Sequence, residues 1–180
     1  MVAPVIHIGG WPGAGKRTIG RHLAARLNAR LIDNHIMLDA ARAIYDRGSP
    51  GAAELREEVR EVILTHAHTL SDDVPVIFTD ALADEPEARV LFAPTLAFAQ
   101  KRGAPLVCFV LDLSVGENLT RLQTPDRSGA AKLKDPEILQ QIRAEHRLFK
   151  PDGAIELDVT DLSPAESAEL MIDKMKVRLA

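Results

Sequence analysis

Hydrophobic and polar positions along the chain alternate between two patterns. Continuous apolar runs of strand length stand at 3–9, 74–79, 105–111 and 154–159, with a shorter one at 29–33. Unbroken apolar runs suit parallel strands covered on both faces. Between them the apolar spacing changes to three and four. Ile19, Leu23 and Leu27 predict a helix over 15–27, and Ile36, Ala40, Ala43 and Ile44 point inward from one over about 35–47. After the breaker Arg47-Gly48-Ser49-Pro50-Gly51, the positions Leu55, Val59, Ile63 and Leu70 predict a helix over about 52–71. Asp84 is expected to cap the next helix with Glu87 three residues on, and Pro94 to kink or split it. Ser114 and Glu117 form another capping box, Asp135-Pro136 starts a helix running to about 149, and Ser163 caps a last helix with Ala168, Met171, Ile172, Met175 and Leu179 on its apolar face. Strands alternating with helices predict an α/β fold: a parallel sheet with helices on both faces, right-handed crossovers, and ligands at the carboxyl ends of the strands. Those ends carry Gly10 to Thr18, Asp33 to His35, Asp80 and residues 112–114.

The stretch Gly9-Gly10-Trp11-Pro12-Gly13-Ala14-Gly15-Lys16-Arg17-Thr18 lies between the first strand and the first helix. Strand, glycine loop and helix are the context of a phosphate-binding P-loop. Glycines let the backbone curl with its N–H groups inward, and the helix N-terminus directs positive charge at the same point. Gly10, Gly13, Ala14, Gly15, Lys16, Arg17 and Thr18 are therefore the expected nucleotide-binding residues, with Lys16 serving the outer phosphates. Arg17 stands where Ser or Thr usually follows the lysine, so Thr18, one residue later, is the hydroxyl expected to serve Mg²⁺.

Composition narrows the classes. The 180 residues are 46% apolar and 27% charged, enough for one domain with a real core. A net charge of −4 gives no basic surface for nucleic acid. Cys108 is the only cysteine, so no intramolecular disulfide can form, and no apolar run has the length of a membrane span. The N-terminus lacks a signal-type segment. The expectation is a cytoplasmic protein, monomeric or homodimeric, without membrane or nucleic-acid partners.

The string Gly10-Trp11-Pro12-Gly13-Ala14-Gly15-Lys16-Arg17-Thr18 resembles the Gly-x-Pro-Gly-x-Gly-Lys-x-Thr loop of adenylate-kinase-like enzymes. The order of elements over nearly the whole chain is similar to the small P-loop kinases, the superfamily of shikimate, gluconate, adenylate and antibiotic kinases. That resemblance implies a three-layer fold, sheet order 2-3-1-4-5, and ATP with Mg²⁺. It also implies an arginine that packs on adenine, matched here by Arg121, and an arginine-bearing mobile lid, matched by 123–134 with Arg127. The passage Leu157 to Glu166 looks like the segment bordering adenine in shikimate-kinase-like chains. Shikimate kinases carry a glycine triplet after the third strand, whereas this chain has Thr79-Asp80-Ala81-Leu82, which weighs against shikimate itself. The absence of an Asn-Lys-x-Asp motif disfavours a GTPase, and no second acid beside Asp80 favours transfer over hydrolysis.

Several side chains carry two readings. Asp33 ends the second strand as an acceptor-facing base or as a helix cap. Asp80 holds Mg²⁺ through water or makes a turn. Arg127 stabilises the transferring group or is a solvated loop residue. His35 touches substrate or is simply half exposed. Arg56 and Arg60 reach an anionic acceptor or form a solvated, ion-paired face. Trp11 walls the acceptor pocket or only packs. The expected activity is ATP- and Mg²⁺-dependent phosphoryl transfer to a hydroxyl of a small molecule. The alternatives are a nucleoside or nucleotide kinase, and a nucleotide-binding regulator or hydrolase without a small acceptor.

Overall fold

The computed structural model describes residues 2–123, 133 and 135–179. The expected lid at about 123–134 falls, with Arg127, almost wholly outside the described residues. Five strands are present among them: β1 (Val5–Gly10), β2 (Arg30–Asp33), β3 (Val76–Thr79), β4 (Leu106–Asp112) and β5 (Ile155–Asp158). They alternate with α1 (Lys16–Leu27), α2 (His35–Arg42), α3 (Pro50–Ala67), α4 (Pro86–Arg102), α5 (Val115–Leu122), α6 (Pro136–Glu145) and α7 (Pro164–Leu179). The sheet is parallel throughout, in the expected order β2-β3-β1-β4-β5. No described helix is long and apolar enough to cross a membrane.

Strand alternation splits the core between the two faces of the sheet. Ile6 and Ile8 face one way with Ile77, Phe109 and Leu111, against Ile19 and Leu23 of α1 and Met171 of α7. Val5 faces the other way with Val76 and Phe78, against Ala67 of α3 and Phe98 of α4. All of these side chains are buried, and each fully buried aliphatic one contributes about 1.5–3 kcal/mol. The central position of β1 brings the glycine loop to the middle of the sheet's carboxyl edge.

Three local expectations fail in informative places, and of the kink or split expected at Pro94 the split does not occur. Helix α2 ends at Arg42, and its buried residues are Met37 and Ala41, whereas Ile36 and Ile44 are 46% and 70% exposed. One residue of phase rotates a helix by about 100°; the short segment contained two apolar stripes, and Met37–Ala41 is the one that packs. Helix α3 starts inside the expected breaker, because Ser49 accepts the Ala52 N–H at 3.3 Å and Pro50 occupies the first turn. Asp84 does not cap α4: the cap position is Glu85, and the Asp84 N–H donates to the Arg147 carbonyl. Helix α4 is not split at Pro94. The carbonyl that loses its partner there belongs to Val90, which is 72% exposed and open to water. The Ser163 box forms in full, with Glu166 Oε2 accepting the Ser163 N–H at 2.9 Å. The Ser114 box forms by half, because Glu117 turns to Arg121.

Candidate active site

The loop closes against β4 through its first glycine. Gly10 has φ 145°, and a Cβ there would lie 2.5 Å from the Leu111 carbonyl oxygen. Gly13 (φ 89°) and Gly15 (φ 88°) bend the chain back on itself. Lys16 Nζ donates to the carbonyls of Gly10 at 2.7 Å and Trp11 at 2.8 Å, drawing the ammonium across the loop. Gly15 caps α1 without a side-chain hydrogen bond, so the first helical turn presents its N–H groups to the loop. Ala14 departs from the other loop residues. Its side chain is fully buried and its N–H donates to the Trp11 carbonyl at 3.0 Å.

Arg17 reaches sideways to the end of β2, where its Nε lies 2.9 Å from Asp33 Oδ2, in ion-pair range without hydrogen-bond alignment. Asp33 itself is buried. Its Oδ1 accepts the Thr79 hydroxyl at 2.8 Å and the His35 N–H at 3.4 Å, and lies 3.2 Å from His35 Nδ1. Burial opposes ionisation of Asp33, but the bonds from His35 and Thr79 and the His35 charge outweigh it, holding the carboxyl down at about 2. Asn34 occupies the cap position of α2, yet the Asp33 carboxylate also takes a first-turn N–H. The carboxylate therefore takes part in the start of α2 and also lies against Arg17 in the wall of the cavity.

Asp80 follows β3 and is bound to β1 twice. Its N–H donates to the Ile8 carbonyl at 3.2 Å, and its Oδ2 lies 2.7 Å from His7 Nε2. His7 is 1% exposed, and its ring meets Phe92 edge-on with centroids 4.9 Å apart. Burial alone would lower its pKa; the Asp80 charge and hydrogen bond, with a smaller part from Cys108, raise it to about 9. Contact with Asp80 thereby favours the charged form of the buried imidazole. His7 Nδ1 is buried without a hydrogen-bond partner.

On the other flank, Arg121 Nη2 donates to the carbonyls of Val159 (2.7 Å), Thr160 (3.2 Å) and Leu162 (3.3 Å), while Nε holds Glu117 at 2.7 Å. Its Nη1 sits 3.9 Å from the point where a Gly15 Cβ would be. Arg121 thereby joins the glycine loop to the passage after β5. Trp11 is buried, donates from Nε1 to Asp112 Oδ1 at 3.0 Å, and lies under the Arg143 guanidinium at 4.8 Å. Arg143 Nη1 donates to Asn118 Oδ1, and Asn118 Nδ2 to the Pro12 carbonyl, at 2.8 and 2.9 Å. These bonds fix the loop to α5 and α6.

One cavity of about 960 Å³ joins these parts. Lys16, Arg17, Thr18, Asp33, Asp80 and Arg121 all line it. Gly10, Gly13, Gly15, Trp11 and His35 line it too, whereas Ala14 and Arg60 do not. Arg42, Arg47 and Arg56 add positive charge beyond Asp33. Arg56 Nε is buried without a hydrogen-bond partner, and burial, with the charges of Arg60 and Arg42 against a weaker pull from Glu57, pushes its pKa down. For a hard cation the fitting donors are the Thr18 hydroxyl and the Asp80 carboxylate. Among the described residues no three His, Cys, Asp or Glu side chains cluster to hold a metal. That sparse oxygen set fits Mg²⁺ carried on phosphates and water rather than in a protein cage. His7, Thr79, Asn118 and Arg143 were not singled out from sequence; for His7 the available signal was a lone imidazole within an otherwise apolar strand.

The model of the AAA domain family matches residues 5–149. The chain belongs to this family. The chain is also a member of the small P-loop kinase superfamily. The Rhodococcus jostii shikimate kinase is 27% identical over 183 residues, covering 97% of this AAA-domain chain and 99% of that enzyme. The Corynebacterium diphtheriae shikimate kinase is 28% identical over 96 residues, and the match spans 50% of this chain and 56% of that enzyme's length. In fold, the chain is similar to the Mycobacterium tuberculosis APS kinase CysC in complex with AMPPNP and APS, with a TM-score of 0.61, 17% identity, and 97% and 98% of the two chains covered.

Proposed function

We propose that this AAA-domain chain uses ATP with Mg²⁺ to phosphorylate a hydroxyl of a small anionic molecule. The observation that carries the reading is the Arg17–Asp33 contact of 2.9 Å. It ties a buried carboxylate to the residue following the loop lysine, so an acceptor held by Asp33 would stand next to the end of the nucleotide. The similarity to shikimate kinases and to an APS kinase supports the same class, a phosphotransferase acting on a small molecule.

The roles follow from the chemistry of each group. The glycine loop and the first turn of α1 offer N–H groups to phosphate oxygens. Lys16 follows the outer phosphates, and Arg121 borders the base side. Mg²⁺, when bound, would neutralise charge on the phosphate oxygens, with Thr18 and Asp80 as its protein partners. Asp33 accepts the hydrogen bond of the acceptor hydroxyl and takes its proton. A carboxyl held at about 2 is a weak base at neutral pH. A loose phosphoryl-transfer transition state asks little of a base before the new bond forms, so orientation of the hydroxyl is the larger part of its contribution.

The anionic character of the acceptor rests on the wall beyond Asp33. Arg42, Arg47 and Arg56 face one space, and the Arg56 charge is disfavoured by burial and by its cationic neighbours. A carboxylate or phosphate entering there relieves that cost and takes charge-assisted hydrogen bonds. The test is a thermal-shift and transfer screen with ATP–Mg²⁺ and hydroxylated compounds, each paired with its uncharged analogue. Stabilisation beyond ATP alone and label transfer are expected only for anionic members. Steady ATP hydrolysis with no acceptor stabilised or labelled would refute the kinase reading in favour of a hydrolase.

A further inference from the structure

The buried His7–Asp80 pair does more than join two strands. The strands are already joined, through a parallel register from Val5↔Val76 to Ile8↔Thr79 and through the Asp80 N–H to the Ile8 carbonyl. A buried ion pair is weak evidence of added stability, because desolvation of both charges offsets most of their attraction. What such a pair does supply is position. His7 occupies one oxygen of the carboxylate, Oδ2, at 2.7 Å. Its ring is held in turn by Phe92 at 4.9 Å. The other oxygen, Oδ1, points toward the root of the glycine loop, 3.8 Å from where a Gly9 Cβ would stand. The same virtual Cβ lies 3.4 Å from His7 Cε1, so Gly9 borders both members of the pair. Asp80 keeps 16% of its side chain exposed and lines the cavity.

Resting on the kinase reading above, we propose that His7 is a positioning residue that fixes the Asp80 carboxylate by Oδ2 so that Oδ1 is the oxygen presented to the nucleotide-borne cation. Mg²⁺ requires near-ideal octahedral geometry, so a carboxylate serving its water shell must hold a set direction. A rotatable Asp80 would meet that direction only part of the time. Groups that orient metal-binding side chains typically change metal affinity 10–100-fold when removed.

The experiment uses the full chain with AMPPNP and Mn²⁺ as probes. Mn²⁺ affinity of the protein–AMPPNP complex is read by electron paramagnetic resonance, and metal-free AMPPNP affinity by calorimetry in EDTA. His7→Leu deletes the donor. His7→Gln keeps an N–H of similar reach. The expected result is roughly 10–100-fold weaker Mn²⁺ binding for His7→Leu, metal-free AMPPNP affinity within about twofold of the parent, and recovery of most of the loss by His7→Gln. On an Asp80→Asn background, His7→Leu should add no further loss. A folded His7→Leu protein with parental Mn²⁺ affinity overturns the proposal. If His7→Leu does not fold, His7→Asn, whose shorter amide leaves Oδ2 without a donor, replaces it: additive losses in His7→Asn and Asp80→Asn overturn the proposal and non-additive losses support it. A parent that binds AMPPNP neither in EDTA nor with Mn²⁺ refutes the kinase reading itself, which separates that failure from a failure of His7 alone.

Discussion

Substituting Asp33 by Asn separates the catalytic role proposed for this residue from its structural contacts. Asn keeps the shape and an Oδ1 acceptor for the Thr79 hydroxyl and the His35 N–H, which donate at 2.8 and 3.4 Å. It removes the charge facing Arg17 and presents an N–H₂ group to a guanidinium 2.9 Å away. The carboxyl is held down from 3.8 to about 2, which corresponds to roughly 2–3 kcal/mol favouring the ionised form in the fold. Loss of that preference sets the scale of destabilisation. For a chain of this length it lowers Tm by roughly 4–12 °C. The effect on chemistry is larger: removing a general base and orienting acceptor costs roughly 10²–10⁴-fold, about 3–5 kcal/mol of barrier. The assay is single-turnover transfer to the acceptor found by screening, at a temperature where both proteins are fully folded, with ATP affinity measured alongside by calorimetry. The expected outcome is a folded protein with near-parental ATP affinity and transfer reduced at least a hundredfold. A folded Asp33→Asn protein that transfers within tenfold of the parent refutes the base and orientation role, leaves Asp33 as a cap, and makes Asp80 the next acid to test.

Other outcomes follow from the same geometry. Lys16→Ala should weaken ATP binding or abolish turnover, and calorimetry with a turnover assay checks it; parental behaviour would dismiss the loop. Thr18→Val should raise the Mg²⁺ concentration needed for half-maximal activity, and an unchanged Mg²⁺ titration removes Thr18 from the cation site. Arg56→Met should raise KM for an anionic acceptor roughly tenfold or more, the scale of one hydrogen bond to a charged group, and leave KM for ATP unchanged. The folded-state pKa of Asp33 is depressed, so its contribution to stability is present above about 3.8 and is lost as pH falls through about 2. That of His7 is raised, so its contribution is full below 6.5 and is lost as pH rises through about 9. Urea unfolding at pH 6 and pH 9.5 should show the alkaline loss in the parent and a flatter profile in His7→Gln.

What the sequence made legible was whatever depends on short covalent spacing. The glycine loop, Lys16 and Thr18 are fixed by neighbours within ten residues, and Asp33 could be placed because a strand ends there. The order of the strands came only through likeness to known kinases, since nothing in a single chain states which strands adjoin. The His7–Asp80 contact bridges 73 positions and exists because β1 lies beside β3 in one register. Likewise Arg143 reaches Asn118 and Trp11 only after α6 settles over α5. The face of α2 was misread because a helix of eight residues offers two apolar stripes, and packing against neighbours, not periodicity, chooses between them. The helix expected behind Asp84 starts one residue later, at Pro86 with Glu85 in the cap position, and the Asp84 N–H pairs with the Arg147 carbonyl, a contact that short spacing does not show.

The tryptophan has a consequence for how the molecule can be watched. Trp11 is the only tryptophan in the chain and sits within the glycine loop. Its indole is 7% exposed, bonded to Asp112 and covered by the Arg143 cation at 4.8 Å. An indole's emission responds to its local field, and here a carboxylate and a guanidinium lie in contact with the ring. Any ligand that shifts the loop by a fraction of an ångström changes both distances at once. The chain therefore carries a native, single-site optical reporter at its own glycine loop, readable by stopped flow without a label.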